Sequence, residues 1–439
     1  MFTKLYIDNF SGISAPVKFD FISKSRNKSM LNSVAKIEED VYINKLVGII
    51  GGNASGKTSI LSAIGMVGQL LVSPVLQYDI GDRLEYVKQL IANEPNKDTE
   101  QEIREIVENL KTSTSLEVQN LRRKKEDTKI ELEMYIFSEE DMSGFYSYEI
   151  TFNGMKKIIK HECLKFRKQY KSPSRTIIEI SDAKESQVYY INRYYKNLIN
   201  IDSENKDELD FKFKYCKEFV NHYINNSAII DTSENVNYKE LKFIDWFKNN
   251  PFELKTLARV VDPKIKDVVI DTDGKNEELM FVLKDGTKIT RNLLSTGTDR
   301  FLNHIRYIKE IIEKNGVLVI DEIEQNLHKD LVELMIRLFS ELENKYSQLI
   351  FTTLCPELLD IFNKEGKRIF KQDTIFVINC ENDDITVERL IEMQFDGNRI
   401  KGDASVSSLY KNKKISTHPD KELIECFLEN LKINWLLKS

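Results

Sequence analysis

The sequence predicts an α/β protein, and three observations carry that prediction. The first is Leu46-Val47-Gly48-Ile49-Ile50, an apolar run of strand length, followed by a glycine-containing loop and then by Ile60, Leu61, Ile64 and Val67 at helical spacing. The second is Val317-Leu318-Val319-Ile320, another apolar run, which ends in Asp321-Glu322. The third is the alternation of strand-like and helix-like segments around these two.

The loop reads Gly51-Gly52-Asn53-Ala54-Ser55-Gly56-Lys57-Thr58, the G-x-x-x-x-G-K-[ST] pattern of a phosphate-cradling loop. Flexible glycines let successive backbone N–H groups, from Gly51 through Asn53, Ala54, Ser55 and Gly56 to Ser59, converge on a phosphate at a helix N-terminus. Lys57 adds a point charge for the β- and γ-phosphates, and the Thr58 hydroxyl suits Mg²⁺. ATP or GTP is the expected ligand. Guanine specificity is disfavoured, because Asn96-Lys97-Asp98-Thr99 and Asn205-Lys206-Asp207-Glu208 both miss the final Asp of N-K-x-D.

The remaining elements follow in chain order. Leu5, Ile7 and Phe10, then Val17, Phe19 and Phe21, alternate with polar positions around a Ser/Gly/Pro turn, which predicts a hairpin over 2–22. Residues 23–40 are polar and read as a surface loop. From Ile80 to about Thr128 the composition becomes charged and helical, and it includes Arg122-Arg123-Lys124-Lys125, a run that could touch a phosphate backbone but more often is a solvated face. Ile130, Leu132, Met134 and Ile136 alternate, as do Tyr146, Tyr148, Ile150 and Phe152, and Asn153-Gly154 favours a hairpin turn into a strand from Ile158 to Phe166. Segment 185–258 reads as aromatic-rich helix. Strands are predicted again at Val268-Val269-Ile270 and Leu279 to Leu283, with an Asp285-Gly286 turn, then at Ile375 to Asn379 and Ile385 to Leu390, before an amphipathic helix from Lys421.

Asp321 and Glu322 gain meaning downstream of the loop. An Asp at this strand end holds hydrated Mg²⁺. The adjacent Glu can take a proton from the attacking water as general base. Between the two halves, Leu293-Leu294-Ser295-Thr296-Gly297-Thr298 opens an apolar helix of Phe301, Ile305, Ile308 and Ile312. Ser295 or Thr296 could be an ordinary N-cap. A helix N-terminus with a serine hydroxyl is also an anion site.

In this order the segments "LYIDNF", "GGNASGKTS", "LLSTGT", "VLVIDEIEQNLH" and "QLIFTTLCPELLD" resemble the ABC-type ATPase heads of RecF, SMC proteins and OLD-family nucleases. The resemblance is closest to the compact bacterial ATPases of abortive-infection and other antiphage systems, and it is weak inside 75–260. It implies an ABC-type head with mixed sheets, two lobes and a helical insertion. The expected division is 1–75 and 129–184 for a lobe with the phosphate loop and antiparallel strands, 76–128 and 185–258 for helical insertions, 259–400 for a signature and Asp-Glu lobe, and 401–439 for a C-terminal helical segment. It further implies that Ser295 and Gly297 bind the γ-phosphate of a second copy, so that two ATPs are sandwiched in a homodimer or higher oligomer. A separate effector, a nuclease or toxin, is the expected partner, since the tail after Leu354 shows no second acidic constellation of a fused Toprim nuclease.

Two positions depart from the pattern. Leu354 stands where such heads carry a switch histidine, and a leucine donates no hydrogen bond, so slow hydrolysis is expected. His328 replaces the aspartate expected after Leu327. Two other functions stay open: a RecF-like ATPase that binds DNA directly, and a scaffold that uses ATP without hydrolysing it.

Composition sets outer bounds. The 439 residues carry a net charge of −6, with 41% hydrophobic and 31% charged residues, so the whole molecule is no polycation that grips nucleic acid unaided, although a local basic patch is not excluded. No apolar run approaches a membrane span and the first residues lack a signal-peptide pattern, so a cytoplasmic protein is expected. Five cysteines and five histidines form no C-x-x-C pair or H-E-x-x-H motif, which argues against a structural zinc site.

Overall fold

The computed structural model describes residues 1–24, 33–72, 127–138, 141–153, 158–183, 186–201, 205–230, 237–273, 276–341, 346–381, 384–395, 397–401, 404–412 and 414–415. The basic run at 122–125, the Asn153-Gly154 turn and the helix expected from Lys421 lie, wholly or in part, outside these residues.

Two six-stranded sheets dominate. The first is antiparallel: β1 (Phe2–Asp8) and β2 (Val17–Asp20) form the predicted hairpin, and β6 (Thr128–Ile136), β7 (Gly144–Asn153), β8 (Ile158–Arg167) and β9 (Arg175–Ala183) extend it in the order β2-β1-β6-β7-β8-β9. A short hairpin of β3 (Val34–Lys36) and β4 (Tyr42–Asn44) occupies part of the stretch expected to be loop.

The second sheet holds β5 (Leu46–Gly51), β10 (Ser227–Ile230), β14 (Val317–Ile320), β15 (Gln348–Thr353), β16 (Ile375–Glu381) and β17 (Asp384–Arg389) in the order β10-β14-β15-β5-β16-β17. All neighbours are parallel except the edge pair β16/β17. Strands β5, β14 and β15 are buried along their whole length, which is why β5 and β14 read as apolar runs. Strand β5 is hydrogen-bonded between β15 and β16, and a strand apolar on both faces needs the cover it finds there on both. Strand β10 falls inside a segment expected to be entirely helical.

Alternation along these strands splits the interior into two cores. Val47, Ile49, Val317, Val319, Ile350, Phe376 and Ile378 join the first sheet and α1 (Lys57–Val72) in one core. Leu46, Ile50, Leu318, Ile320, Leu349, Phe351, Ile375 and Val377 point the other way. They meet α6 (Thr296–Glu313), α7 (Lys329–Glu341) and the three-stranded sheet of β11 (Ile265–Asp273), β12 (Asn276–Leu283) and β13 (Lys288–Thr290). Helices α2 (Gln187–Ile201), α3 (Lys206–Asn225), α4 (Asn237–Asn249) and α5 (Pro251–Val261) supply the predicted helical segment.

Gln348, fully buried at the start of β15, fastens the two large sheets. Its amide oxygen accepts from Phe2 N at 2.7 Å, and its amide nitrogen donates to Phe2 O at 3.1 Å and Asn44 O at 2.9 Å. Satisfying all three inside the protein avoids a desolvation cost of about 1–3 kcal/mol per orphaned group.

Candidate nucleotide site

The loop between β5 and α1 turns where its sequence allows. Gly56 has φ +92°, and a Cβ there would come within 2.3 Å of Ile385 Cδ1, so this position takes only glycine without strain. Ala54 also adopts a positive φ of 58° and sits exposed beside Asn53. Ser55 is buried and its hydroxyl has no hydrogen-bond partner among the described residues, as a group awaiting a ligand would.

The Lys57 amine is buried and donates to Gly51 O at 2.9 Å and Gly52 O at 2.7 Å, folding back over its own loop. Burial pushes this amine below the ordinary lysine range, while Glu322, Asp321 and Glu324 pull it the other way. The Ser59 hydroxyl donates to Ser11 Oγ at 3.2 Å, joining α1 to the first hairpin.

Strand order brings the second half of the site alongside. Strand β14 pairs in parallel with β15, Ile320 opposite Phe351, so the next residues on each, Asp321 and Thr352, emerge side by side. The Thr58 hydroxyl donates to Asp321 Oδ2 at 2.7 Å, and the Thr352 hydroxyl donates to Asp321 Oδ1 at 2.5 Å. Thr352 Oγ1 also accepts from Glu322 N at 2.8 Å. One buried threonine thus fixes both carboxylate-bearing residues. Sequence reasoning passed over Thr352, although a hydroxyl at the end of the strand beside the Asp-Glu strand is the signal that could have found it.

Glu322 sits at φ 45°, a left-handed conformation rare for this residue type and of the kind stored at functional sites. Glu324, likewise missed, accepts from Leu354 N at 2.6 Å and ties the end of β15 to the acidic turn. Leu354 is half-buried.

Ser295 and Gly297 lie at the start of α6, against the residues that follow this acidic turn. Ser295 N-caps α6, its hydroxyl accepting from Thr298 N at 3.1 Å. Gly297 packs so closely that a Cβ would come within 2.7 Å of Asn326 O, and Arg300 Nη1 donates to Gln325 Oε1 at 2.5 Å. The start of α6 is therefore seated on residues 325–326, while Lys57 and Thr58 engage residues nearer 321. Ser295 and Thr296 are exposed, and Leu293 beside them is 69% exposed. His328 is exposed, with Nδ1 3.5 Å from Asp330 Oδ2.

The donor set suits a magnesium nucleotide. Thr58 and Asp321 offer two hard oxygens already in contact, of the kind Mg²⁺ takes directly or through water. Lys57 and the loop N–H groups at the start of α1 are of the kind that cradle an anion.

A family model described as "AAA domain, putative AbiEii toxin, Type IV TA system" matches residues 46–360. No curated protein matches the sequence. Among solved structures, the chain is similar to the SMC head domain from Thermotoga maritima at 11% identity, covering 88% of this chain and 98% of that one, with a TM-score of 0.36. It is also similar to an SMC head bound to the C-terminal winged-helix domain of ScpA at 12% identity, with coverage of 88% and 97% and a TM-score of 0.42. A third likeness is to an SMC head with an extended coiled coil, bound to the C-terminal domain of ScpA derived from Pyrococcus furiosus, at 12% identity, coverage of 94% and 98%, and a TM-score of 0.41.

Proposed function

Because the chain belongs to the family of AAA domains described as putative AbiEii toxins of type IV toxin–antitoxin systems, we propose that it binds ATP with Mg²⁺, hydrolyses it slowly and dimerises around it. The expected kinship with the P-loop ATPases of abortive infection is borne out by that membership. The single observation that carries the proposal is the hydrogen-bonded run Thr58–Asp321–Thr352–Glu322 beside the buried Lys57 amine.

In this reading Lys57 swings from the carbonyls of Gly51 and Gly52 to the β- and γ-phosphates, and Gly51, Asn53, Ala54, Ser55, Gly56 and Ser59 supply the rest of the cradle. Thr58 and Asp321 hold Mg²⁺, which neutralises charge on the phosphates when bound. Glu322 orients the attacking water and accepts its proton. Ser295 and Gly297 reach the γ-phosphate of a second copy. Support comes from the exposure of Ser295, Thr296 and Leu293 at a helix N-terminus. Leu354 offers the γ-phosphate no donor, and slow turnover follows, as suits a switch. The switch would regulate a separate effector in antiphage defence, from a cytoplasmic location. Among the described residues no helix is long and apolar enough to cross a membrane.

The test pairs two variants with ATP and Mg²⁺ on size exclusion. Lys57→Ala is expected to lose nucleotide binding and stay monomeric, while Glu322→Gln binds ATP and shifts to dimer. Indistinguishable profiles would refute the sandwich. The family's description as a putative toxin favours one second reading, in which this chain itself does the harm. Growth arrest on expressing it alone, relieved by Lys57→Ala, would support that reading over a separate effector.

A further inference from the structure

Away from the nucleotide site, the first sheet has two faces of opposite character. Tyr146, Tyr148, Ile150 and Phe152 of β7 point into a core. The other face carries Glu149, whose cross-strand neighbour on β8 is Cys163, and Cys163 in turn lies opposite Glu179 on β9. His161 is two residues from Cys163 on the same strand and so shares its face. The ligating atoms of His161, Cys163 and Glu179 all lie within 4.8 Å of one another. His161 Nε2 is also 3.9 Å from Glu149 Oε1. Cys163 is buried, 2% exposed, yet belongs to neither large core among the described residues.

We propose that this face holds one zinc ion, bound by His161 nitrogen, Cys163 sulfur and Glu179 oxygen, with Glu149 completing a tetrahedron. Nitrogen, thiolate and carboxylate together suit zinc, and the thiolate disfavours Mg²⁺ and Ca²⁺. Zinc–ligand lengths of about 2.0–2.3 Å place ligand atoms about 3–4 Å apart. The three ligand atoms, all within 4.8 Å of one another, lie close to that spacing. As the Zn–S bond forms, the Cys163 proton leaves to solvent. Burial raises this thiol above its ordinary range, with Glu179 and Glu149 adding to the rise and Lys165 opposing it, so the metal's charge has to drive that release. Lys129, now 2.9 Å from Glu149 Oε1, keeps Glu131 at 2.5 Å when Glu149 turns to the metal. The ion would pin β9, the edge strand of the sheet, to β8 and β7. Spacing along the chain hid the site, because its ligands meet only through strand pairing.

Co²⁺ is the probe. The full chain, stripped by chelator and held in millimolar Mg²⁺, is titrated with Co²⁺ and followed by absorption. One equivalent is expected to produce intense tetrahedral visible bands and a near-ultraviolet thiolate-to-cobalt band, both abolished by zinc. Cys163→Ser should lose the thiolate band with its circular dichroism unchanged. Glu179→Gln, altered on the exposed face, should weaken binding at least tenfold while keeping the band. The absence of a thiolate band in the unaltered protein overturns the proposal. So does a band that survives Cys163→Ser, or an affinity that Glu179→Gln leaves unchanged.

Discussion

Replacing Thr352 with valine keeps the shape of the side chain and removes one oxygen. That oxygen donates to Asp321 Oδ1 and accepts from Glu322 N. Both Asp321 and Thr352 are buried, so water does not readily take its place. A hydrogen bond to a charged group contributes about 1.5–3 kcal/mol, and a buried donor left unsatisfied costs about 1–3 kcal/mol. The combined loss is about 3 kcal/mol, divided between folding stability and catalysis. If it fell wholly on the transition state, turnover would drop about a hundredfold. The assay is steady-state phosphate release with Mg²⁺-ATP, alongside urea unfolding. Thr353→Val is the control, since the Thr353 hydroxyl contacts only the backbone of Cys355 among the bonds described. A Thr352→Val protein with unaltered turnover and unaltered stability would show that this threonine does not hold the acidic pair.

Two further perturbations follow. Leu354→His should raise turnover at least tenfold by supplying a phosphate donor, on the scale of about 3 kcal/mol seen for single transition-state donors; an unaltered protein already turning over hundreds of times per second would contradict the premise. His222 is buried, and burial lowers its imidazole to about 3 from an ordinary 6.5. The unfolded chain therefore binds a proton that the folded one refuses, and stability falls as pH drops below 6.5. Between pH 7 and pH 5 that loss is about 2 kcal/mol, and His222→Gln should remove it in urea unfolding at the two pH values.

What the sequence made legible was whatever is local. The glycine loop, the apolar strand before it, the Asp-Glu strand end and the hairpin of β1 and β2 each declare themselves within a single short stretch of chain. Thr352 could not be read this way, because its role depends on β15 lying beside β14, and strand order is not written in either strand. The same reason hid the position of β5 between β15 and β16 and the insertion of β10 among helices. Cys163 and Glu179 meet only because β8 and β9 pair as they do, with an irregularity between Leu164 and Lys165 that periodicity does not foresee. Non-local pairing is where reading along the chain stops.

The central claim is that a triphosphate joins two copies of this chain. A structure of the Glu322→Gln protein with ATP and Mg²⁺ tests it most directly. The account predicts Lys57 of one copy on the β- and γ-phosphates and Ser295 of the other within about 3 Å of the same γ-phosphate. A nucleotide held by Lys57 alone, with Ser295 and Gly297 distant from every phosphate in every neighbouring molecule, would contradict it.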